Sequence, residues 1–277
     1  MIDDTQDILY RAYNSLKSQV DFRPKVLLTL GSGLGDIVEN MQVVQTINYA
    51  DIDGMPISTV KGHKGRYLFG YISGVPVAVM QGRVHYYEGY TPQECVLPVR
   101  LIGLLGAKIF FATNVSGGIT YPEKGTIMRI TDHISLIPSP LRGKNIDSLG
   151  VRFPGMTRPY DEGLGAIVDS VAKAHNIDLK KGVYIQMQGP NFETASEVRM
   201  AKILGADVVG MSTAIEVIAA RHMGLKVVGM TCVVNPACGV TDESLDNVVE
   251  EDAFRISGDK IKTLIFESIG KMGELSL

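Results

Sequence analysis

Residues 81–90, QGRVHYYEGY, gather four side chains that are capable of chemistry: Arg83, His85, Tyr87 and Glu88. The apolar run before them, residues 75–80, predicts a buried strand, so the cluster lies where that strand leaves the sheet. Ligand sites of α/β proteins form at such places. If the backbone stays extended, Arg83, His85 and Tyr87 share one face. That face suits an anion next to a hydroxylated ligand, although isolated loop clusters of this kind are more often simply solvated.

The first glycine-rich turn, GSGLG at residues 31–35, is a second feature that could bind an anion. It follows a predicted strand at residues 25–30 and precedes a segment with a helical pattern. Glycines let backbone N–H groups approach a phosphate closely, and Ser32 adds a hydroxyl. A dinucleotide fingerprint would need glycine where this chain has Asp36, which argues against a nicotinamide cofactor. A tight turn that binds no ligand is the alternative.

Other predicted strand ends also carry groups that suit a phosphate. Val115 lies in a second glycine-rich turn, NVSGG, after the predicted strand at residues 108–113. Ser212 lies at a predicted helix start, where backbone N–H groups favour an anion. We therefore expect one phosphate site that is formed by Ser32, Arg83, the backbone near Val115, and Ser212.

A second set of residues suits a sugar and a flat heteroaromatic ring. Tyr87 and Met211 could flank a sugar, the first through its phenol and the second through apolar contact. Phe192 can stack on a ring, while Glu193 and Asn235 can recognise its edge, because a carboxylate accepts hydrogen bonds and an amide both donates and accepts them. Phosphate, sugar and base together indicate a nucleoside.

Composition restricts the classes of protein that remain. A chain of 277 residues with 45% hydrophobic and 21% charged residues can form one large α/β domain or two small ones, and no linker is visible. The formal charge of −3 predicts no nucleic-acid partner. Cysteines at 95, 232 and 238, without a CxxC pair, argue against a disulfide framework or a zinc site. No signal peptide or membrane-spanning run is present in the sequence, so we expect a cytoplasmic protein without a membrane partner.

The elements that must position these residues alternate between strand and helix, which predicts an α/β fold. Helices are expected at residues 7–20, 92–105, 161–175 and 251–272, and a hairpin is expected around the turn Ser73-Gly74. Capping boxes predict two more helices, one starting after Thr194 and one opened by Thr213 with Glu216. The long proline-containing loop at residues 138–159 predicts a functional role or a contact with a partner.

Seven motifs in order resemble one family, the trimeric purine nucleoside phosphorylases that are specific for 6-oxopurines. They are GSGLG (31–35), GHKGR (62–66), QGRVHYYEGY (81–90), TNVSGG (113–118), GPNFET (189–194), GADVVGMST (205–213) and the strand that ends in Asn235. The resemblance runs from about residue 25 to the C-terminus. It implies a single domain over residues 1–277, with a central mixed β-sheet flanked by helices. It also implies reversible phosphorolysis of nucleosides such as inosine and guanosine in purine salvage, with phosphate as co-substrate and no cofactor or metal.

The same resemblance assigns roles to individual residues. For phosphate it implies Ser32, His63, Arg83, His85, Val115 and Ser212, with Glu88 in support. For ribose it implies Tyr87 and Met211, and for the base it implies Tyr184, Phe192, Glu193 and Asn235. His85, Glu193 and Asn235 are the expected catalytic residues. Phe153 would reach the active site of a neighbouring subunit in a homotrimer.

Two positions depart from the family's pattern. Members commonly carry a histidine near the ribose 5′ position in the region of residues 249–251, and this chain has none there. The recognition of the 5′-hydroxyl therefore stays open. Val115 replaces a smaller residue, which changes little if the contact is made by the backbone.

Three alternatives compete with this interpretation. A methylthioadenosine phosphorylase of the same fold would handle 6-aminopurines and should carry an aspartate in place of Asn235. A non-catalytic nucleoside-binding protein would not need the phosphate site. A nucleoside hydrolase should present aspartates that hold a metal-bound water, and the sequence shows no such cluster.

Overall fold

The computed structural model describes residues 5–31, 33–60, 62–242, 245 and 250–277. These residues form an α/β structure in which helices cover a nine-stranded mixed sheet, so the predicted fold class is confirmed. The strands are β1 (Val26–Leu30), β2 (Gln42–Asn48), β3 (Arg66–Ile72), β4 (Val75–Gln81), β5 (Ile109–Gly118), β6 (Ile127–Ser135), β7 (Leu179–Gln186), β8 (Val208–Gly210) and β9 (Lys226–Pro236). The α-helices are α1 (Thr5–Gln19), α2 (Pro92–Cys95), α3 (Leu97–Leu104), α4 (Glu162–Ala174), α5 (Ala195–Ile203), α6 (Ala214–His222) and α7 (Glu250–Gly273).

The sheet order is β2-β3-β4-β1-β5-β8-β7-β6-β9, and an additional pairing joins β9 back to β5. Strands β5, β8, β7, β6 and β9 therefore form a closed ring. Strands β1, β4, β3 and β2 extend from β5 as an open sheet. Strand β1 is parallel to β4 and β5, and β5 is parallel to β9. Because parallel strands end at the same edge, residues that follow β4, β5 and β9 meet there.

Alternating side chains of β5 connect the sheet to both helical layers. Phe110 is buried with Ile102 of α3 and Val217 of α6. The next residue, Phe111, is buried in the opposite cluster with Ile265 of α7. Successive strand residues point to opposite faces, so a buried strand with helices on both faces needs apolar residues at nearly every position. Each face of the sheet thus has its own core.

Several predicted elements differ in detail. The helix expected at residues 92–105 is divided at Val96 into α2 and α3, because Pro98 has no N–H to bond the carbonyl one turn earlier. The glycine-rich segment at residues 114–118 is the end of β5 and not a turn. Strand β2 is not predicted by the sequence pattern, because it is an edge strand whose side chains are mostly exposed.

The capping box expected at Thr213 is wrong. Thr213 has a φ of 78°, and its side chain makes no capping hydrogen bond to α6. Its hydroxyl instead accepts a hydrogen bond of 2.8 Å from Nδ2 of Asn114 on β5. Glu216, which should complete the box, turns towards the sheet and binds Arg83. Tertiary contacts have therefore replaced a local motif at the start of α6.

Within the described part of the chain, none of the helices has both the length and the apolar character needed to cross a membrane.

Candidate active site

A cavity of about 300 Å³ opens where β4, β5, β7, β8 and β9 end or turn. It brings together residues that are far apart in the sequence. Its walls consist of Arg83, His85, Tyr87, Val115, Ser116, Gly117, Pro190, Phe192, Glu193, Val209, Gly210, Met211, Ser212, Val234 and Asn235. Nine predicted site residues are among them: Arg83, His85, Tyr87, Val115, Phe192, Glu193, Met211, Ser212 and Asn235. Their shared location supports one ligand site instead of several unrelated loops.

Arg83 follows β4 and is almost completely buried, with 2% of its surface exposed. Its Nε and Nη2 atoms each donate a hydrogen bond of 3.1 Å to the carboxylate of Glu216. Its Nη1 atom lies 3.4 Å from Oγ of Ser212. The guanidinium is thus held from two sides beside the cavity, which fixes the direction of its remaining donors.

His85 is oriented by Glu88 in the short turn Tyr86–Glu88. Oε1 of Glu88 accepts hydrogen bonds from the backbone N–H of His85 at 2.7 Å and from its ring Nδ1 at 3.1 Å. The bond to Nδ1 places the ring proton there and leaves Nε2 as the other polar atom of the ring. The turn also shows that the backbone does not stay extended up to Tyr87. Even so, the rings of Tyr87 and His85 stack with centroids 4.7 Å apart, and both reach the cavity.

His63 lies behind His85 and not on the cavity wall. The two rings stack with centroids 5.2 Å apart. Nδ1 of His63 lies 3.0 Å from the carbonyl oxygen of Arg83, so His63 holds the backbone between β4 and His85. Its contact with a phosphate stays a prediction, and the structure places it one layer further away than His85.

Burial governs the charge of these groups. Burial, with the neighbouring His85, lowers the pKa of His63 to about 4. Burial also lowers the pKa of His85, and the hydrogen bond to Glu88 opposes this change only in part. Burial alone would raise the pKa of Glu88, but its hydrogen bonds from His85 and Thr59 lower it to about 2. Near pH 7 the histidines are therefore neutral and Glu88 is a carboxylate.

Tyr184 is fully buried and does not line the cavity. Its hydroxyl accepts a hydrogen bond of 3.1 Å from the backbone N–H of Ser212. Burial raises the pKa of Tyr184 to about 12, so the phenol stays neutral. The expected position of Tyr184 on the wall beside a base is therefore not observed. It supports the segment that carries Ser212 instead.

Asn235 reaches the cavity because of an irregularity between β5 and β9. Ser116 pairs with Val233, but Gly117 pairs with Asn235, so β9 contains one extra residue at this point. Such a bulge redirects the side chains that follow it. A Cβ atom at Gly117 would lie 3.3 Å from Nδ2 of Asn235, so the glycine leaves room for the amide. In this structure Nδ2 donates to the carbonyl oxygen of Pro236 at 2.6 Å.

Phe192 and Glu193 lie between β7 and α5, which starts after the capping residue Thr194. Oγ1 of Thr194 accepts a hydrogen bond from the N–H of Glu197, and this closes the predicted capping box. Phe192 keeps 45% of its surface exposed, whereas Glu193 is buried to 92%. Burial raises the pKa of Glu193. An open aromatic face thus stands next to an enclosed carboxyl group.

Two predicted site residues lie elsewhere or are not described. Phe153 is 86% exposed and lines a different surface depression, together with His133 and Arg152. Ser32 lies outside the described residues, and so does Val249 of the segment that lacks the family's histidine. The predicted roles of these positions stay predictions.

Sequence reasoning missed Glu216 as part of the site. A carboxylate in the first turn of a helix is common, so it was interpreted as a local cap. The signal that could have identified it is the position of Arg83 directly after a predicted buried strand, because an arginine that is buried there needs a buried counter-charge.

Among the described residues, no group of three or more histidine, cysteine, aspartate or glutamate side chains could hold a metal ion.

Comparisons with known proteins agree on one family. The sequence model described as "Phosphorylase superfamily" matches residues 25–269. Purine nucleoside phosphorylase 1 of Bacillus subtilis is 42% identical over 249 residues, which cover 88% of this chain and 92% of that protein. The purine nucleoside phosphorylase of Bos taurus is 44% identical over 205 residues, which cover 72% of this chain and 71% of that protein.

Solved structures give the same result. The fold matches a schistosoma purine nucleoside phosphorylase in complex with hypoxanthine, with a TM-score of 0.87 and 31% identity. The match covers 98% of this chain and 99% of that one. A Schistosoma mansoni purine nucleoside phosphorylase in complex with adenosine matches with a TM-score of 0.86, 32% identity and coverage of 98% of both chains.

The lowered pKa of His63 gives a prediction for solution. In the folded protein the ring should take up its proton near pH 4, whereas an unfolded histidine does so near about 6.5. Between these values the unfolded chain binds more protons, so the free energy of unfolding should fall as the pH is lowered, by up to about 1.4 kcal/mol per pH unit for this group. Histidine NMR titration of the folded protein measures the midpoint of His63. A midpoint above pH 6 for His63 would contradict the assignment.

Proposed function

The chain belongs to the phosphorylase superfamily and, within it, to the purine nucleoside phosphorylases, and we propose that it cleaves 6-oxopurine nucleosides such as inosine and guanosine, and their deoxy forms, with inorganic phosphate. One observation carries the proposal. A single cavity is lined both by donors for an anion, Arg83, His85 and Ser212, and by groups for a purine, Phe192, Glu193 and Asn235. We assign these two sets to opposite ends of the cavity. The reaction would serve purine salvage.

The anion end suits phosphate. Arg83 supplies a fixed positive group, Ser212 a hydroxyl, and the backbone of β5 at Val115 runs along the same wall. Nε2 of the neutral His85 can accept a hydrogen bond from the P–OH group of hydrogenphosphate, because Glu88 holds the other ring nitrogen as a donor. We propose that Ser32 completes this end and that His63 and Glu88 support it from behind.

The sugar would lie between the two ends. Tyr87 and Met211 line the same cavity as the proposed phosphate and base groups. A phenol can bind a ribose hydroxyl, and a thioether offers a soft apolar contact for the ring.

The purine end selects a 6-oxo group. The amide of Asn235 can donate to an acceptor at position 6 and accept from a neighbouring ring N–H, and Glu193 can accept from another ring N–H. A 6-amino group would present a donor instead, which an aspartate would suit better than Asn235. This difference favours a 6-oxopurine enzyme over the methylthioadenosine phosphorylase alternative. Phe192 offers an exposed ring for stacking.

The chemistry follows from this order of groups. The bond between C1′ and the purine nitrogen breaks, and its electron pair stays with the purine while positive charge develops on the ribose. A phosphate oxygen then forms the new bond to C1′. The purine takes up one proton as it leaves, which balances the proton that hydrogenphosphate gives up when it becomes the sugar phosphate. Asn235 and Glu193 would stabilise the departing base, and the phosphate itself would stabilise the cationic sugar. Phosphate is a co-substrate, and the reaction uses no metal or organic cofactor.

We further propose that residues 1–277 form one domain, that the protein is cytoplasmic, and that it works as a homotrimer. The exposed ring of Phe153 supports the trimer: it is 86% exposed on a long loop without helix or strand, as expected of a side chain that enters a neighbouring subunit. The presence of phosphate-type donors in the cavity argues against a binding protein without turnover.

The direct test of the reaction is release of hypoxanthine from inosine with and without inorganic phosphate, with adenosine in parallel. Cleavage of inosine should require phosphate, and adenosine should react far more slowly. Cleavage without phosphate would indicate a hydrolase, preference for adenosine would overturn the role of Asn235, and binding of inosine without cleavage would indicate a binding protein.

Replacement of Asn235 by alanine should lower kcat for inosine by about 100-fold, since removal of one transition-state hydrogen-bond donor typically costs 100- to 1,000-fold. KM for inosine should change much less, because the contact strengthens as the base departs. Steady-state kinetics measures both. Asn48→Ala, on the edge strand β2, is the matched control and should leave both parameters unchanged. An unchanged kcat for Asn235→Ala would exclude the assigned role.

The trimer can be tested by mass and by complementation. Sedimentation should give a particle of three chains. Asn235→Ala and Phe153→Ala should each be poorly active alone, and mixed trimers should regain part of the activity, because some sites then combine an intact Asn235 with an intact neighbouring Phe153. A monomer with full activity would contradict the proposal.

A further inference from the structure

A second carboxylate lies at the proposed anion end, where negative charge should oppose phosphate binding. Glu216 is 2% exposed and binds Arg83 through two hydrogen bonds of 3.1 Å each. Glu88 supplies another carboxylate behind His85. With both histidines neutral near pH 7, the charged groups at this end, among the residues that the structure describes, are one guanidinium and two carboxylates. A site built only for tight binding of an anion would not be arranged this way.

The start of α6, which carries Glu216, is held in place by contacts that do not involve Arg83. The N–H of Ile215 donates a hydrogen bond of 3.1 Å to Oε1 of Gln186 on β7. The hydroxyl of Thr213 accepts one from Asn114 on β5 at 2.8 Å. These two contacts anchor the first turn of α6 to the sheet at Thr213 and at Ile215, on both sides of Ala214. The backbone next to Glu216 is therefore fixed without Arg83, while the carboxylate itself binds the guanidinium of Arg83.

The geometry of the pair decides what Arg83 can offer to a ligand. A guanidinium has about five N–H groups. Glu216 takes one on Nε and one on Nη2, and Oγ of Ser212 lies within reach of one on Nη1. One N–H on each terminal nitrogen is left. We call the side with these two remaining N–H groups the outer edge of Arg83, and it is the side presented to the cavity. The inner edge, with Nε, is bound and neutralised by Glu216.

We propose that Glu216 is a positioning residue for the phosphate site, which fixes the outer edge of Arg83 towards the cavity and limits the affinity for phosphate by cancelling the charge of Arg83. The inference rests on the proposed function, because it assumes that phosphate binds beside Arg83. A limited affinity for phosphate benefits catalysis for two reasons. Tighter binding of phosphate in the ground state gives no acceleration once the site is filled, and a reversible enzyme must also release its phosphorylated sugar.

Two substitutions separate charge from geometry. Glu216→Gln keeps the size of the side chain and removes its charge, whereas Glu216→Asp keeps the charge and shortens the side chain. The inference predicts that Glu216→Gln binds inorganic phosphate about tenfold more tightly, because the charge of Arg83 is no longer cancelled at short range. Glu216→Asp should bind inorganic phosphate about threefold more weakly or worse, because the shorter side chain keeps the charge but no longer holds Arg83 by two hydrogen bonds. Calorimetry with inorganic phosphate alone measures both, without any need for turnover.

Kinetics gives a second readout. In Glu216→Gln the KM for phosphate and the kcat should both fall, since the ground state is stabilised more than the transition state. The KM for inosine should stay within about twofold. A merely structural role would instead weaken the binding of phosphate in both variants, or change both KM values together, and either result would overturn the inference.

A matched control is available on the far side of the sheet. Arg129 donates hydrogen bonds of 2.8 and 3.0 Å to Asp169, the same two-bond arrangement away from the cavity. Asp169→Asn should leave the affinity for phosphate unchanged. A change as large as that in Glu216→Gln would show that loss of any such pair disturbs the site.

Loss of a buried carboxylate can also prevent folding. The inference covers this case, because phosphate then supplies the missing negative charge: Glu216→Gln should be recovered in saturating phosphate, and phosphate should raise its melting temperature more than that of the unchanged protein. A variant that stays unfolded in phosphate contradicts the inference.

Failure of the unchanged protein to bind phosphate would refute the proposed function, whereas tight binding by that protein with no gain in Glu216→Gln would refute only the role of Glu216.

Discussion

The parallel pairing of β1 with β4 and β5, and of β5 with β9, is the constraint on which the site depends. It brings the ends of strands that are distant in the sequence to one edge. Arg83 follows β4, Val115 lies near the end of β5, and Asn235 near the end of β9. A shift of one residue in any of these registers would turn the side chain to the other face of the sheet. The one irregularity, between Ser116 and Gly117, is the place where Asn235 enters the cavity.

Charge within the cavity is kept low by burial and pairing. Burial lowers the pKa values of His63 and His85, so both rings are neutral near pH 7, while hydrogen bonds hold Glu88 as a carboxylate. Arg83 is paired with Glu216 before any ligand arrives. In the proposed function, a ligand would therefore be bound through directed hydrogen bonds more than through net charge, which suits a substrate that must react and leave.

Much of the fold and the site was predictable from sequence, and the exceptions have physical reasons. Apolar runs identify central strands such as β1 and β9, because strands with helices on both faces need apolar residues throughout. The edge strand β2 lacks this signal. Arg83, His85 and Asn235 could be placed at the site because they lie at or just after the ends of recognisable strands. The positions of Tyr184 behind Ser212, and of Glu216 on Arg83, depend on contacts across many residues, which local patterns such as capping boxes do not contain.

The central claim is that one cavity holds phosphate beside Arg83 and a 6-oxopurine beside Asn235. A crystal structure with inorganic phosphate and hypoxanthine bound together tests it most directly. The account predicts phosphate within hydrogen-bond distance of Arg83 and Ser212, and the purine against Phe192 with its edge bound by Glu193 and Asn235. Phosphate bound away from Arg83, or a purine that leaves Asn235 without a contact, would contradict it.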